Sequence, residues 1–553
     1  MGTALGTQPL VLGRLGPRHP GWQDLTAAAG VTVRTLVDDD VVALASSPAP
    51  GLEAVPGSAW CWGRVVPGTR RPGSPDDAAH ELLLSGTWCD GEEVAVHTDL
   101  LGLGDVFVRQ VGPSTFFSNR LTPLTALGGG LTTDVAGWGA SYGFYGFVDE
   151  TTPFREIQRL RFGEVLRLRR GRVTLEQSLP RWLTDPGDPA SVPELVEALV
   201  ASLPPRSLRR RHITLSGGWD SRLIALGLRA RGGRQPLAWS TPSDDGYGDD
   251  LQLAGAVARG LGLRHRVVQP ADGSFLADRR RTLARTEHLT WLHTWLTPLA
   301  AEMRGPVPLL DGFAGDVLFK DEVGQVVATG RDADHRTELL WRQTGGSRVA
   351  VPGLFRAEVA ADWADSTLAR VAREQERWAG HPAEFALRKL VLRNARVMAA
   401  SPLRLFAPET PVLLPLVHPE MLRAVLTVPV QRRAEGALMR DLLHTLDPVV
   451  GSLRSTNDKP RTLPLAEPPR QTRPAVLRRL RRKVLADDLV MDLLHPDLAS
   501  RLTRPRGRSL ADVRGVLTWG AALADWRRQH AGVLADGPGR TGDDADGTDD
   551  GAD

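Results

Sequence analysis

HITLSGGWDSRLIALGLRARG, residues His212 to Gly232, is the stretch that decides the fold. A short apolar strand runs straight into Ser216-Gly217-Gly218-Trp219-Asp220-Ser221, and a helix rich in Leu, Ala and Arg starts at once. A strand, a glycine-rich turn and a helix N-terminus in that order make an anion site. The glycines let the backbone approach a phosphate, and the free N–H groups of the first helical turn point at it. Leu215, Ser216, Gly217, Gly218, Asp220 and Ser221 are therefore the candidate nucleotide loop, with the two serines adding hydroxyl donors. Asp220 would repel a bare polyphosphate, so its presence implies Mg²⁺ between carboxylate and phosphates. The loop is neither GxxxxGK[ST] nor GxGxxG, which excludes a Walker A loop and a dinucleotide fingerprint there.

Working outward, QPLAWST, LQLAGAVARGLG and LRHRVV repeat the strand–helix alternation, which requires a parallel sheet. Upstream, residues 1–185 carry short apolar runs (Glu93–Thr98, Val106–Val111, Thr115–Ser118) punctuated by Gly and Pro, the rhythm of an antiparallel β domain. LTDPGDPASVP (Leu183–Pro193) reads as a linker. An α/β chain is expected, with the ATP-binding unit at 190–535 and a largely helical part from Asp334 onward. RTEHLTWLHTWLTPL reads as one apolar helix. On it Trp291 and Trp295 are core, and Glu287, His288 and His293 are satisfied core or rim residues rather than a substrate lining. The Arg-rich run Arg473–Asp488 reads as a solvated helix face. Residues 536–553, dense in aspartate, are expected to form a disordered acidic tail.

Composition narrows the function classes. At 553 residues the chain is too long for one ordinary core. Lys+Arg is 68 against Asp+Glu 65, a formal charge of +3, which speaks against a nucleic-acid partner. Only four basic residues are lysines: Lys320, Lys389, Lys459 and Lys483. The two cysteines, Cys61 and Cys89, exclude a disulfide framework and a multi-Cys metal site. No uncharged stretch reaches the ~18–20 residues of a membrane span, and the N-terminus lacks the pattern of a signal peptide. A cytoplasmic, multidomain enzyme is expected.

SGGWDS resembles the SGGxDS pyrophosphate loop of ATP-pyrophosphatase enzymes, which adenylate a substrate and release pyrophosphate. LLDGFAGDVLF (Leu309–Phe319) resembles the second phosphate-side loop of the asparagine synthetase family. That resemblance implies that Asp316 joins Asp220 on Mg²⁺ and that Gly312 lies near ATP. DLLGLGDVFV, FFSNRLTPLTAL and YGFVDETTPFREIQRLRFGEVLRL (Tyr145–Leu168) resemble the glutamine amidotransferase half of the same family, implying an Ntn-type N-terminal domain. The departure from that family is chemical. Its amidotransferase half uses an N-terminal cysteine, whereas this chain begins Met1-Gly2-Thr3. Cys61 and Cys89 read as ordinary thiols, so no glutamyl thioester is expected, and another amine must supply the nitrogen.

Two branches of the family lack the glutaminase: β-lactam synthetases and the macrolactam synthetases, or cyclases, of lasso peptides. SGGWDSR, with Trp219 and Arg222, resembles the second. So does Val412–Pro460, including Ser455-Thr456-Asn457-Asp458. β-Lactam synthetases carry Tyr, and asparagine synthetases Glu, where this chain has Phe313, which cannot accept a proton. The resemblance implies a ligase of peptide natural-product biosynthesis that adenylates an Asp or Glu side chain of a leader-cleaved core peptide. It then closes an amide ring with the peptide's N-terminal amine, whose pKa near ~7.7–8.0 leaves part of it neutral. A leader peptidase and a leader-recognition protein are the implied partners, and the helical region from Asp334 to Gln529 the implied cradle. Lys459, with Arg461 as substitute, is expected to neutralise phosphate. A small-molecule amide or β-lactam synthetase and a non-catalytic peptide-binding scaffold are the alternatives.

Overall fold

In the strand Val11–Leu15, Val11 and Leu15 face one core while Leu12 faces another, and this two-sided burial organises the N-terminal half. The computed structural model describes residues 9–48, 52–55, 59–63, 74, 76, 80, 84–90, 93–244, 249–320, 332–458, 469–503 and 510–536. Twelve strands lead the chain: β1 (Val11–Leu15), β2 (Arg34–Asp38), β3 (Val42–Ser46), β4 (Leu52–Val55), β5 (Ala59–Gly63), β6 (Leu84–Asp90), β7 (Glu93–His97), β8 (Phe107–Val111), β9 (Ser114–Ser118), β10 (Gln158–Arg159), β11 (Glu164–Arg169) and β12 (Arg172–Gln177). They form two sheets, ordered β10-β8-β9-β1-β3-β2 and β12-β11-β7-β6-β5-β4, and their pairings are antiparallel. Val11, Leu15, Leu44 and Phe117 of the first sheet meet Trp62, Val96, Leu166 and Leu168 of the second in a shared core. The β-rich layer expected for the N-terminal region is what forms.

The other face of the first sheet is covered by helices distant in sequence. Leu12, Phe107 and Phe116 share a core with Trp138 of the helix Val135–Phe144, with Leu477 and Leu480 of Pro474–Leu485, and with Trp519 and Trp526 of Arg514–Gln529. Trp519 Nε1 donates to the Trp138 carbonyl at 2.9 Å, and the Trp138 and Trp526 rings lie 5.5 Å apart. Arg478, Arg479 and Arg482 on the outer side of Pro474–Leu485 face solvent, as expected for that run.

The second half is built on a parallel sheet. Its strands are β13 (His212–Thr214), β14 (Leu237–Ser240), β15 (Arg264–Val267), β16 (Leu309–Leu310) and β17 (Val412–Leu413), ordered β15-β14-β13-β16-β17. The first three follow from the alternation in the sequence. β17 does not: two residues inside a helical region complete the sheet edge against β16. The region read as a linker is partly ordered. Ser191 caps the helix Val192–Ser202 in a capping box with Glu194, and Leu183 is buried.

One helix expected from sequence is broken. RTEHLTWLHTWLTPL joins the end of Phe275–Arg285 to Leu296–Glu302 through a turn in which Glu287, His288 and His293 all have left-handed φ. The cause is tertiary. Thr290 bridges Gly146, its hydroxyl donates to the Tyr145 carbonyl at 2.7 Å, and Glu287 is drawn into contact with Thr122 and Arg404. These contacts override helical propensity. The acidic tail beyond Asp536 lies outside the described residues, and among those described no helix is long and apolar enough to cross a membrane.

Burial holds the imidazoles of His97, His288, His293 and His381 down to about 4. Above pH ~6.5 both folded and unfolded states are neutral at these positions. Between ~6.5 and about 4 the unfolded chain takes up protons that the fold refuses, so stability is lost as pH falls, at about 1.4 kcal/mol per pH unit per histidine. Thermal midpoints measured from pH 7 to 4 should fall steeply. His288→Gln should flatten that slope by about one proton.

Candidate active site

β13 and β16 are parallel neighbours, so the loops that follow them emerge side by side at the carboxyl edge of the sheet. After β13 come Leu215 to Gly218, and then the helix Trp219–Arg231 with Asp220 in its first turn. After β16 come Asp311 to Ala314, and then the short helix Gly315–Phe319 with Asp316 in its first turn. Two glycines make this juxtaposition possible. A Cβ on Gly312 would lie 3.1 Å from Asp220 Cβ, and one on Gly315 would lie 2.6 Å from Asp220 Cγ. Gly315→Ala must therefore push Asp220 aside. The expected result is a stability loss of about 1–3 kcal/mol and a fall in turnover on the order of 10²-fold, checked by thermal melts and by pyrophosphate release.

Each amide of the loop already donates to a side-chain oxygen. Ser216 N donates to Ser221 Oγ (3.1 Å), Gly217 N to Asp250 Oδ1 (2.9 Å), Gly218 N to Ser216 Oγ (3.2 Å) and Trp219 N to Asn457 Oδ1 (3.2 Å). These oxygens occupy directions that phosphate oxygens would take, and the hydroxyl and amide partners can turn away. Burial, with Asp249 close by, pushes the Asp250 carboxyl up to about 6, although the Gly217 N–H opposes the shift. Leu215 uses its backbone N–H and C=O within the sheet, toward Trp239 and Ser240, and its side chain is core.

The two aspartates meet cations. Lys320 Nζ is 2.9 Å from Asp220 Oδ1, and Lys389 Nζ is 4.0 Å from Asp316 Oδ2. Asn394 Nδ2 approaches Asp316 Oδ1 at 3.4 Å. Burial and the Asp316 charge push the Asp220 carboxyl up, against the pull of Lys320. Burial acts the same way on Asp316, but Lys389, Lys320 and Arg393 outweigh it and hold that carboxyl down. Asp311 stands behind them, pushed up to about 6 by burial while accepting from Phe313 N (2.9 Å) and Thr214 Oγ1 (3.3 Å). Two hard carboxylates within reach of each other's field suit Mg²⁺, which takes one or two carboxylates and completes its shell with phosphates and water. Among the described residues no group of three or more His, Cys, Asp or Glu could hold a metal, so phosphate would have to share in binding one.

Several expected residues play other parts. Trp219 is buried, its ring against Gly436 (φ 74) and between Lys320 and Arg440, 5.7 and 5.6 Å from the ring centre. Arg222, fully buried, donates to the carbonyls of Gly451, Leu453 and Arg454 at 3.3, 2.5 and 2.8 Å. It thereby fastens the Ser455–Asp458 turn over the loop, where Thr456 N donates to the Gly217 carbonyl. Phe313 is buried in the core. Lys459 and Arg461 lie outside the described residues. Cys61 is buried, and burial pushes the Cys89 thiol up to about 11, so Cys89 is not a thiolate at neutral pH.

Sequence reasoning missed Lys320, Lys389 and Asn394. A signal existed: two of only four lysines in the chain converge on these aspartates, and Lys320 follows Asp316 by one helical turn. Lys389, Arg393 and Asn394 lie at the start of a π-helical stretch, Leu390–Met398, a backbone form frequent at functional sites. Arg393 also lines a cavity of about 680 Å³. His293, Trp291 and Trp295, expected as core or rim, line this cavity too. Glu287 is held by Thr122 and Arg404, and His288 Nε2 pairs with Gln529 Oε1 while its Nδ1 is buried without a partner among the described residues.

No family model and no curated protein matches the sequence. Among solved structures the chain is similar to glutamine phosphoribosylpyrophosphate amidotransferase from B. subtilis complexed with ADP and GMP. The identity is 10%, the match covers 61% of this chain and 79% of that chain, and the TM-score is 0.19. A likeness of that degree carries no inference about what this chain binds or does.

Proposed function

We propose that the chain is an ATP-dependent, AMP-forming carbon–nitrogen ligase, and that its substrate is the core peptide of a lasso peptide, closed into a macrolactam. One observation carries the ligase reading. Asp220 and Asp316, from the first turns after two neighbouring parallel strands, are brought together by Gly312 and Gly315 beside the amides of Ser216, Gly218 and Trp219, whose hydroxyl and amide partners can give way to phosphate. The peptide assignment is finer and rests on the motif resemblances around Trp219, Arg222 and Ser455–Asp458.

The chemistry runs in two steps. A carboxylate oxygen forms a bond to the α-phosphorus of ATP while the α–β P–O bond breaks, and pyrophosphate leaves with the electron pair. The amine nitrogen then bonds to the acyl carbon, the acyl C–O bond breaks, AMP leaves with its electron pair, and the amine releases a proton. The loop amides, Lys320 and Lys389 supply positive charge where pyrophosphate charge builds, the kind of preorganised term that dominates such steps. Mg²⁺, held by Asp220 and Asp316, would supply further neutralisation of the phosphates. Asn457 and Ser216, now on the loop amides, turn away as phosphate arrives. Phe313 contributes no base, so the attacking amine must arrive neutral or lose its proton to another group.

Incubation with ATP, Mg²⁺, the leader peptidase and the precursor peptide tests this reading by mass spectrometry. Loss of one water from the cleaved core, dependent on ATP, is the expected result. A core that is cleaved but keeps its water, with AMP formed on a small carboxylate instead, transfers the assignment to a small-molecule amide or β-lactam synthetase. No AMP with any carboxylate leaves the scaffold alternative.

A further inference from the structure

The cavity of about 680 Å³ lies where the two halves meet. Its walls come from the N-terminal helix (Tyr142, Tyr145), the broken segment (Trp291, His293, Trp295) and the π-helical stretch (Arg393). Its polarity is lopsided. Among the described residues on its wall the acid is Asp244, and it is neutralised by Arg470 through two contacts of 3.0 Å. Two of the arginines are committed. Arg279 is held by Asp525 and the Thr518 carbonyl, and Arg348 lies 3.9 Å from the centre of the Tyr145 ring.

Arg393 is different. Its side chain is half-buried, no acid or carbonyl holds its guanidinium among the described residues, and its Nε is shut off from solvent without an acceptor, which costs about 1–3 kcal/mol. Its chain neighbour Asn394 approaches Asp316 Oδ1 at 3.4 Å, so the stretch that carries Arg393 links the cavity wall to the candidate catalytic aspartates. His293, also on the wall, is held neutral by burial and by Arg393, and so adds no second positive charge. A cavity with indole and phenol walls and, on its wall, a guanidinium whose Nε is unsatisfied matches a ligand with an apolar body and a terminal anion.

We propose that this cavity binds a carboxylate attached to an aromatic or branched apolar body, with Arg393 as its anchor. Under the ligase reading, on which this further step rests, it is the seat of the acyl donor. A carboxylate paired with Arg393 is delivered beside Asp316, where the α-phosphorus is attacked. The geometry disfavours the nucleotide base as occupant, since a base offers no anion to the guanidinium.

Calorimetric titration of the full chain with a capped glutamyl-phenylalanine dipeptide amide, without ATP, tests the pocket directly. Saturable binding is expected, with the glutaminyl analogue weaker by about 10- to 100-fold, the worth of one charge-assisted contact. Arg393→Ala should weaken the glutamyl probe by the same factor and leave the glutaminyl probe unchanged. Arg393→Lys should recover part of the difference. Removing a guanidinium whose buried Nε is unsatisfied should not lower the melting temperature of Arg393→Ala, which separates lost binding from lost folding. Equal binding of the two probes, wild-type affinity in Arg393→Ala, no saturable heat up to about 1 mM, or competition by adenosine for the site would each overturn the proposal. Because the titration involves no turnover, carboxylate-selective binding without ring closure retires the ligase reading alone. Ring closure with carboxylate-indifferent binding retires the pocket alone.

Discussion

Asp220→Asn should abolish carboxylate-dependent exchange of pyrophosphate into ATP, lowering it by at least about 10³-fold, while the protein remains folded. The substitution keeps the shape pressed between Gly312 and Gly315, so it opens no void and forces no backbone shift. It removes one of two carboxylates that face each other across adjacent strand ends, and with it half of the protein's oxygen donors for a phosphate-bound Mg²⁺. Lys320 loses its 2.9 Å partner but remains in the field of Asp316, so the stability cost should stay near about 1 kcal/mol. Asp316→Asn should behave alike, and the double variant should be scarcely worse than either single one, since groups that act as a unit are not additive. Exchange measurements and melting curves on the three variants decide the matter. Retention of exchange in Asp220→Asn would remove Asp220 from the chemistry and the ligase reading with it.

The largest expected effect on stability is at Asp105→Ala. Asp105 is buried among Arg159 (3.2 Å), Arg396 (3.5 Å) and Arg404 (2.5 Å), the last two from the π-helical segments of the second half. Burial alone would raise its carboxyl, but Arg404, Arg159 and Arg396 outweigh burial and hold it down to about 2. Alanine would leave three buried guanidinium groups facing one another, which costs about 3–5 kcal/mol. Arg404 would keep Glu287 at 3.1 Å, but Arg159 and Arg396 would keep only carbonyl partners. The comparison that isolates the cause is Asp40→Ala. Arg18 and Asp40 are closer than most of these pairs, at 2.7 Å, yet their side chains are 65% and 87% exposed, so solvent screens them and that change should cost almost nothing. Thermal or denaturant melts of both variants should show a large loss for one and almost none for the other. Equal losses would mean that contact distance, not burial, governs these pairs.

What the sequence alone determined is local. The nucleotide loop was legible because a strand, two glycines and a helix start lie within ten residues, and each is dictated by neighbours in the chain. The parallel sheet was legible as far as β13, β14 and β15, where strands and helices alternate, and the β-rich N-terminal half by its short apolar runs. Asp220 and Asp316 could be paired through the resemblance, but their closeness in space is set by Gly312 and Gly315, whose missing side chains let two loops touch. Tertiary structure alone decided that Lys320 and Lys389 answer the aspartates, that Asp250 and Asn457 occupy the loop amides, and that Arg222 is an anchor rather than a ligand. It alone broke the 286–295 segment out of its helical pattern, because hydrogen bonds to Tyr145, Thr122 and Arg404 outweigh about 1 kcal/mol or less of propensity per residue. It alone placed His293, Trp291 and Trp295 on the wall of a cavity, with Trp291 at the same time part of the hydrophobic core as expected. The physical reason is common to all of these. Burying a charge or a backbone group is costly unless a partner is found, and the partner is chosen by what packing brings within hydrogen-bond reach, which spacing along the chain does not encode.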